Sequence, residues 1–142
     1  MSRIKGYPAF FYPSLMLIML CMVLSGLLML PSTLEFKLDW SVDWRLPGAM
    51  WGNVAATHAL SGWLMSIMVG ALWQVHMRGN WRKSKHKVTG LTNALLFLTL
   101  GATAVGLYYA GEASTQLGLA FTHIFAGLLL ILVFTVHALF KR

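Results

Sequence analysis

The sequence has little charge and almost no cysteine. Charged residues make up 11% of the 142 residues and hydrophobic residues make up 58%, whereas an ordinary soluble domain carries about 25% charged residues. Too few polar side chains remain to cover a globule in water, so lipid is the solvent that fits. The single cysteine, Cys21, excludes an internal disulfide framework.

Four long apolar runs divide the chain, at residues 12–30, 49–77, 88–109 and 117–140. Each is close to or above the roughly 20 residues that cross a bilayer as a helix. Since backbone groups in lipid must bond internally, these runs are predicted to be helical. The predicted fold is all-α, a single integral membrane four-helix bundle over residues 1–142.

The basic residues follow the positive-inside rule. Nine of the eleven lie before the first run, between the second and third runs, and after the fourth run. The opposite side carries all four acidic residues, Glu35, Asp39, Asp43 and Glu112. Both termini are therefore expected to face the cytoplasm, in a bacterium at the inner membrane. This distribution also explains the net charge of +7 without a nucleic-acid partner.

The longest connection, residues 31–48, has an alternating pattern. Apolar and polar residues alternate over 34–42, and a period of two predicts an extended segment with one apolar face. Trp40, Trp44 and Trp51 are typical of a membrane-interface belt. The segment is interpreted as an interfacial lid or as a docking edge for a periplasmic partner.

The predicted spans contain four histidines but no Asp, Glu, Lys or Arg. A strongly polar side chain inside a span is costly and indicates function. Ion and proton pathways usually need carboxylates there, so histidine alone favours metal or haem ligation. The four are His58 and His76 in the second span, and His123 and His137 in the fourth. The fifth, His86, lies in a basic connection.

The spacing of these histidines places them in two pairs. His58 and His76 are 18 residues apart, five turns at 3.6 residues per turn, which is about 27 Å along one face. His123 and His137 are 14 residues apart, about 21 Å along the axis. Because both spans run the same way, His58 can face His123 near the outer surface and His76 can face His137 near the cytoplasm. Two facing histidines are the axial ligands of a b-type haem.

A short repeat surrounds the outer pair. The sequence THALSG from Thr57 to Gly62 matches THIFAG from Thr122 to Gly127. Each glycine lies about one turn from its histidine, where it leaves room either for a flat macrocycle or for close helix contact. Without a C-x-x-C-H motif, any haem is held non-covalently.

With these motifs the chain resembles small four-span di-haem membrane cytochromes b. The 14-residue spacing is similar to that in the cytochrome b subunits of formate dehydrogenases and nickel–iron hydrogenases. The resemblance implies electron transfer between the quinone pool and a redox protein on one face. It implies two b haems, one held by His58 with His123 and one by His76 with His137. The chain departs from the pattern in two places, since the first span has no histidine and the second has the 18-residue spacing.

Two other functions remain open. A cofactor-free membrane anchor for a peripheral enzyme would tolerate replacement of the histidines. A metal-ion transporter would show metal-dependent flux without a chromophore, although zinc and copper favour three or four clustered ligands. The sequence lacks a catalytic carboxylate or nucleophile constellation, so an electron-transfer subunit is expected rather than a free-standing enzyme.

Overall fold

The computed structural model describes residues 6–79 and 87–139, apart from the side chain of Gln74. Every regular element in these ranges is helical, which confirms the all-α prediction for this part of the chain. The elements are α1 Phe11–Leu38, α2 Gly48–Leu72, a π-helical segment Trp73–Arg78, α3 Lys87–Tyr109 and α4 Ala113–Leu139.

Four helices are long and apolar enough to cross a membrane. They contain 28, 31, 23 and 27 residues when α2 and the π-helical segment are taken together, against the roughly 20 that a bilayer requires. Each predicted span therefore corresponds to one of these four helices. The ends differ, because the fourth helix begins at Ala113 rather than residue 117, and Phe140 lies outside the described residues.

Helix α1 continues to Leu38 instead of ending at residue 30. The extended segment predicted over 34–42 is therefore wrong for residues 34–38, which are helical. Five alternating residues fit a strand and a helix equally well by periodicity alone, and continuing the helix satisfies their backbone groups locally. Pro31 lies inside the helix with a fully buried side chain. The helix stops at Asp39, whose φ of 52° is left-handed.

The second span departs from regular α geometry near its end. The α-helix stops at Leu72, and Trp73–Arg78 forms a π-helical segment. The hydroxyl of Tyr7 donates a hydrogen bond to the carbonyl of Ala71, at 2.8 Å. A side-chain donor at this place helps to satisfy a backbone that changes its bonding pattern.

The residues before α1 lie against this π-helical segment. Gly6 has a φ of +92°, and a Cβ there would come 2.8 Å from Cγ1 of Val75. Glycine is therefore required for both its backbone conformation and this close approach. Tyr7 also stacks on Phe11, with ring centroids 4.3 Å apart.

The structure divides into two compact units, Met1–Gly79 and Asn80–Arg142. Helix α1 packs against α2 in the first unit, and α3 packs against α4 in the second. Within the α3/α4 pair, a Cβ at Gly106 would lie 2.9 Å from Cδ1 of Leu119. Small residues allow such close helix approach in membranes.

Candidate functional site

His58 is half-buried on α2 and contacts α1. Its Nδ1 lies 3.0 Å from the carbonyl oxygen of Met22 and 3.1 Å from Oγ of Ser25. A carbonyl oxygen only accepts, so Nδ1 is the nitrogen that carries hydrogen and donates. In the neutral ring the lone pair is then on Nε2, which is the form that can bind a metal.

The α1 side of this contact is a hydroxyl followed by a glycine. Ser25 is 4% exposed, and its Oγ donates to the carbonyl of Cys21 at 2.6 Å. With its hydrogen used there, the same oxygen accepts from His58. A Cβ at Gly26 would lie only 3.0 Å from Cε1 of His58. Glycine therefore lets the imidazole approach the α1 backbone.

His123 makes a similar contact within the α3/α4 pair. Its Nδ1 lies 2.9 Å from Oγ1 of Thr103. Thr103 is 6% exposed and donates its hydroxyl hydrogen to the carbonyl of Thr99, at 2.8 Å. With its hydrogen placed there, the oxygen of Thr103 can accept from Nδ1 of His123, which is the arrangement that leaves the lone pair on Nε2. A small residue, Ala104, follows the threonine.

His137 repeats the arrangement at the other end of α4. Its Nδ1 lies 2.8 Å from Oγ1 of Thr89. A Cβ at the next residue, Gly90, would lie 3.6 Å from Cε1 of His137, an ordinary contact. The two threonines on α3 are 14 residues apart, as are the two histidines on α4. Because α3 and α4 run antiparallel in constant register, the same alignment brings each threonine to one histidine.

Three of the four span histidines thus face the same kind of partner. Each partner is a hydroxyl residue followed by a small residue, which we call a hydroxyl–small pair. The pairs are Ser25-Gly26, Thr89-Gly90 and Thr103-Ala104. Sequence reasoning assigned none of the three hydroxyls to a histidine. The signal was present in the 14-residue spacing of Thr89 and Thr103, which equals the spacing of His123 and His137.

His76 is half-buried within the π-helical segment. The prediction that it shares one face with His58 assumed 3.6 residues per turn over all 18 residues, and this premise is wrong beyond Leu72. A π turn contains more residues than an α turn, so it rotates His76 away from the expected line. Its assignment as a haem ligand stays a prediction.

The glycines of the outer repeat differ from Gly26. A Cβ at Gly62 would meet no described heavy atom within 4 Å, and one at Gly127 would lie 3.8 Å from Cδ2 of Leu100. Close helix contact therefore does not require glycine at either position. That Gly62 and Gly127 leave room for a flat macrocycle stays a prediction.

One buried polar atom was not singled out from the sequence. Among the described residues, Oδ1 of Asn93 is the buried side-chain oxygen or nitrogen that has no hydrogen-bond partner. Asn93 follows Thr89 by four residues on α3, so the two share a helix face. A buried unpaired oxygen is costly in a span.

The charged side chains form local contacts outside the long apolar stretches. Arg45 pairs with Glu35 at 2.6 Å and lies over the ring of Phe36. In the α3–α4 connection, hydrogen bonds from Ser114 and then Thr115 lower the pKa of Glu112 below its ordinary value. The two hydroxyls therefore stabilise the carboxylate form of Glu112, which lies directly before α4.

No group of three or more His, Cys, Asp or Glu side chains forms a metal site within 6–79 and 87–139. A haem iron takes only two protein ligands, so this finding does not test the histidine pairs. His86, with Arg82 and Lys83 of the same connection, lies outside the described residues. No family model, curated protein or solved structure matches the chain. The resemblance to di-haem cytochromes b therefore stays an interpretation of the residues.

Proposed function

We propose that the chain is a membrane cytochrome b subunit that holds two b haems and carries electrons between the quinone pool and a partner redox protein. The observation that supports it best is the contact of His58 and His123 with buried hydroxyls. These contacts occupy Nδ1 and present Nε2 as the nitrogen with a lone pair. Metal-bound histidines nearly always use such a partner for the second ring nitrogen.

The donor set also fits a b haem. Its iron takes two neutral imidazole nitrogens, and the proposed axial pairs are His58 with His123 and His76 with His137. The pairing depends on the depth that each histidine has in its span. Gly62 and Gly127 supply room for the ring beside the outer pair.

The haem supplies the one-electron chemistry when it is bound. The residues of the chain bind it, orient it and exclude water. Ser25 and Thr103 hold the imidazoles of His58 and His123 in place. The apolar helices surround the site with a medium of low polarity, which helps to set the reduction potential.

The membrane assignment extends the finding of four helices that are long and apolar enough to cross a bilayer. In the proposed arrangement both termini face the cytoplasm, in a bacterium at the inner membrane, and all four spans assemble as one domain over residues 1–142. The nine basic residues on one side and the four acidic residues on the other support this orientation. Quinone is the further ligand, and the redox partner docks on one membrane face.

Reduction by a quinol in proteoliposomes tests this function. The purified chain is reconstituted, a quinol is added, and the visible absorption of the b haem is followed with time. We expect quinol-dependent reduction in the wild type and a loss in amplitude in His123→Ala. The control is Thr135→Val, which removes an exposed hydroxyl bonded to Ile131 on the same helix.

The rival functions predict different results. A cofactor-free anchor gives no haem absorption, and its histidine variants behave as the wild type. A metal-ion transporter gives metal-dependent flux into the vesicles. Either result would contradict the proposed electron transfer.

A further inference from the structure

The outer histidines share a feature that goes beyond ligation. Each Nδ1 meets a buried hydroxyl whose own hydrogen is already donated to a backbone carbonyl. Ser25 donates to the carbonyl of Cys21 at 2.6 Å, and Thr103 donates to the carbonyl of Thr99 at 2.8 Å. With its hydrogen held on that carbonyl, the hydroxyl oxygen accepts from the imidazole. For His58 the carbonyl of Met22, 3.0 Å from Nδ1, fixes the direction as well, because a carbonyl oxygen can only accept.

We infer that Thr103 holds His123 in the tautomer with hydrogen on Nδ1, so that Nε2 binds the haem iron, and that the carbonyl of Met22 fixes the same tautomer of His58. Ser25 is then a positioning residue for the plane of the His58 ring, and Thr103 is a positioning residue for both the tautomer and the plane of His123. This inference rests on the proposed function. It adds a role for two residues on α1 and α3, the helices that carry no proposed ligand.

The helix backbone also restricts the hydroxyls themselves. Oγ of Ser25 reaches a second carbonyl, that of Met22, at 3.1 Å, and Oγ1 of Thr103 reaches that of Leu100, also at 3.1 Å. Both side chains are buried. A hydroxyl placed between two carbonyls of the preceding turn has little freedom to rotate, so it offers the histidine an acceptor in one place.

The contact affects the metal through the imidazole. Accepting a hydrogen bond from Nδ1 makes Nε2 a more basic ligand and fixes the plane of the ring. A more basic ligand favours the ferric iron over the ferrous iron. Removing the hydroxyl of Thr103 is therefore expected to weaken haem retention, raise the midpoint potential and broaden the range of ring orientations.

Thr103→Val is the principal variant, because valine keeps the branched shape and loses the hydroxyl. We expect outer-site haem to be retained about 10–100-fold more weakly. We also expect its midpoint potential to move to more positive values and its low-spin ferric electron paramagnetic resonance g-values to shift. Thr103→Ser restores the hydroxyl and should return all three quantities toward the wild type. That rescue would not follow from a purely structural role.

Two further variants complete the set. Ser25→Ala leaves the carbonyl of Met22 at 3.0 Å from Nδ1 of His58. Its tautomer should persist, and only the g-values should shift. Thr135→Val is the matched control, because Thr135 is exposed and also donates to the carbonyl four residues before it. It should leave haem retention, potential and g-values unchanged.

A nitrogen-15 nuclear magnetic resonance spectrum of the histidines in the full chain, prepared without haem, reads the tautomer directly. We expect hydrogen on Nδ1 of His123 in the wild type and a mixture of tautomers in Thr103→Val. Hydrogen on Nε2 in the wild type would overturn the inference. If haem binds and Thr103→Val equals the wild type in every quantity, the inference fails while the proposed function stands. If no haem binds, the proposed function fails, and with it the role toward iron.

Discussion

The α3/α4 pair and the α1/α2 pair hold their histidines in different ways. In α3/α4, two threonine–histidine contacts recur after 14 residues on each helix, at Thr103–His123 and Thr89–His137. In α1/α2, the contact of this kind lies between Ser25 and His58. Two regular α-helices thus repeat a contact at constant register.

The α1/α2 pair loses that register where the helix type changes. Fourteen residues after His58 the chain reaches Leu72, the last residue of α2. His76 comes four residues later, inside the π-helical segment. At this end of the pair the hydroxyl of Tyr7 donates to the backbone carbonyl of Ala71. The histidines of the second span are thus four residues, about one turn, farther apart than those of the fourth span. These four extra residues lie where the helix changes from α to π geometry.

The largest effect is expected when a proposed haem ligand is removed from either helix pair. We predict that His58→Ala and His123→Ala each lose one haem per chain, since a bis-histidine site needs both ligands. The double variant should lose no more outer haem than either single variant. Haem per chain, from the visible spectrum and protein concentration, measures the effect. Retention of the outer haem in one of the single variants would break the proposed pairing.

The glycines beside two histidines provide a second test. In Gly26→Ala the new Cβ would come 3.0 Å from Cε1 of His58, whereas in Gly90→Ala it would come 3.6 Å from Cε1 of His137. We predict that Gly26→Ala costs about 1–3 kcal/mol through overpacking. Gly90→Ala should be neutral or slightly stabilising. Thermal unfolding in detergent compares the two variants, and equal unfolding temperatures would contradict the difference between the pairs.

Tyr7→Phe tests the end of the first pair at which the second span becomes π-helical. It removes the donor to the carbonyl of Ala71 and keeps the ring that stacks on Phe11. We predict a loss of about 0.6 kcal/mol, the average for side-chain hydrogen bonds in membrane-helix bundles. Tyr109→Phe is the control, because Tyr109 is 85% exposed. The free energy of unfolding in detergent is measured for both variants. An equal change in Tyr7→Phe and Tyr109→Phe would show that the hydrogen bond from Tyr7 to Ala71 does not stabilise the fold.

The smallest expected effect concerns Glu112 and pH. Because Ser114 and Thr115 lower the pKa of Glu112 in the folded chain, this carboxylate stabilises the fold above the ordinary glutamate pKa. That contribution declines as the pH falls through the lowered pKa. Glu112→Gln should therefore reduce the acid sensitivity of unfolding slightly. Thermal unfolding from neutral pH to pH 3 measures it, and unchanged acid sensitivity would refute the prediction.

The sequence predicted the parts of the fold that depend on long apolar runs. All four helices were found because each run is long enough for its composition to decide the structure. The local features were harder to predict. Residues 34–38 alternate too briefly to distinguish strand from helix, and Pro31 lies inside α1 although proline removes one backbone hydrogen bond of the helix.

The candidate site was predicted only in part. Histidine is conspicuous in an apolar span, so His58 and His123 were identified directly. Ser25 and Thr103 were missed because serine and threonine are common in spans and usually bond their own helix, as both also do here. The π-helical segment was missed because nothing in the composition of residues 73–78 distinguishes it from an α-helix.

The haem content of the purified wild-type chain tests the central claim most directly. The chain is expressed with ample haem, and a reduced-minus-oxidised visible spectrum is recorded with haem quantified per chain. The account predicts the sharp bands of bis-histidine b-type haem and two haems per chain. A chain that folds and binds no haem would contradict the account and favour the cofactor-free membrane anchor.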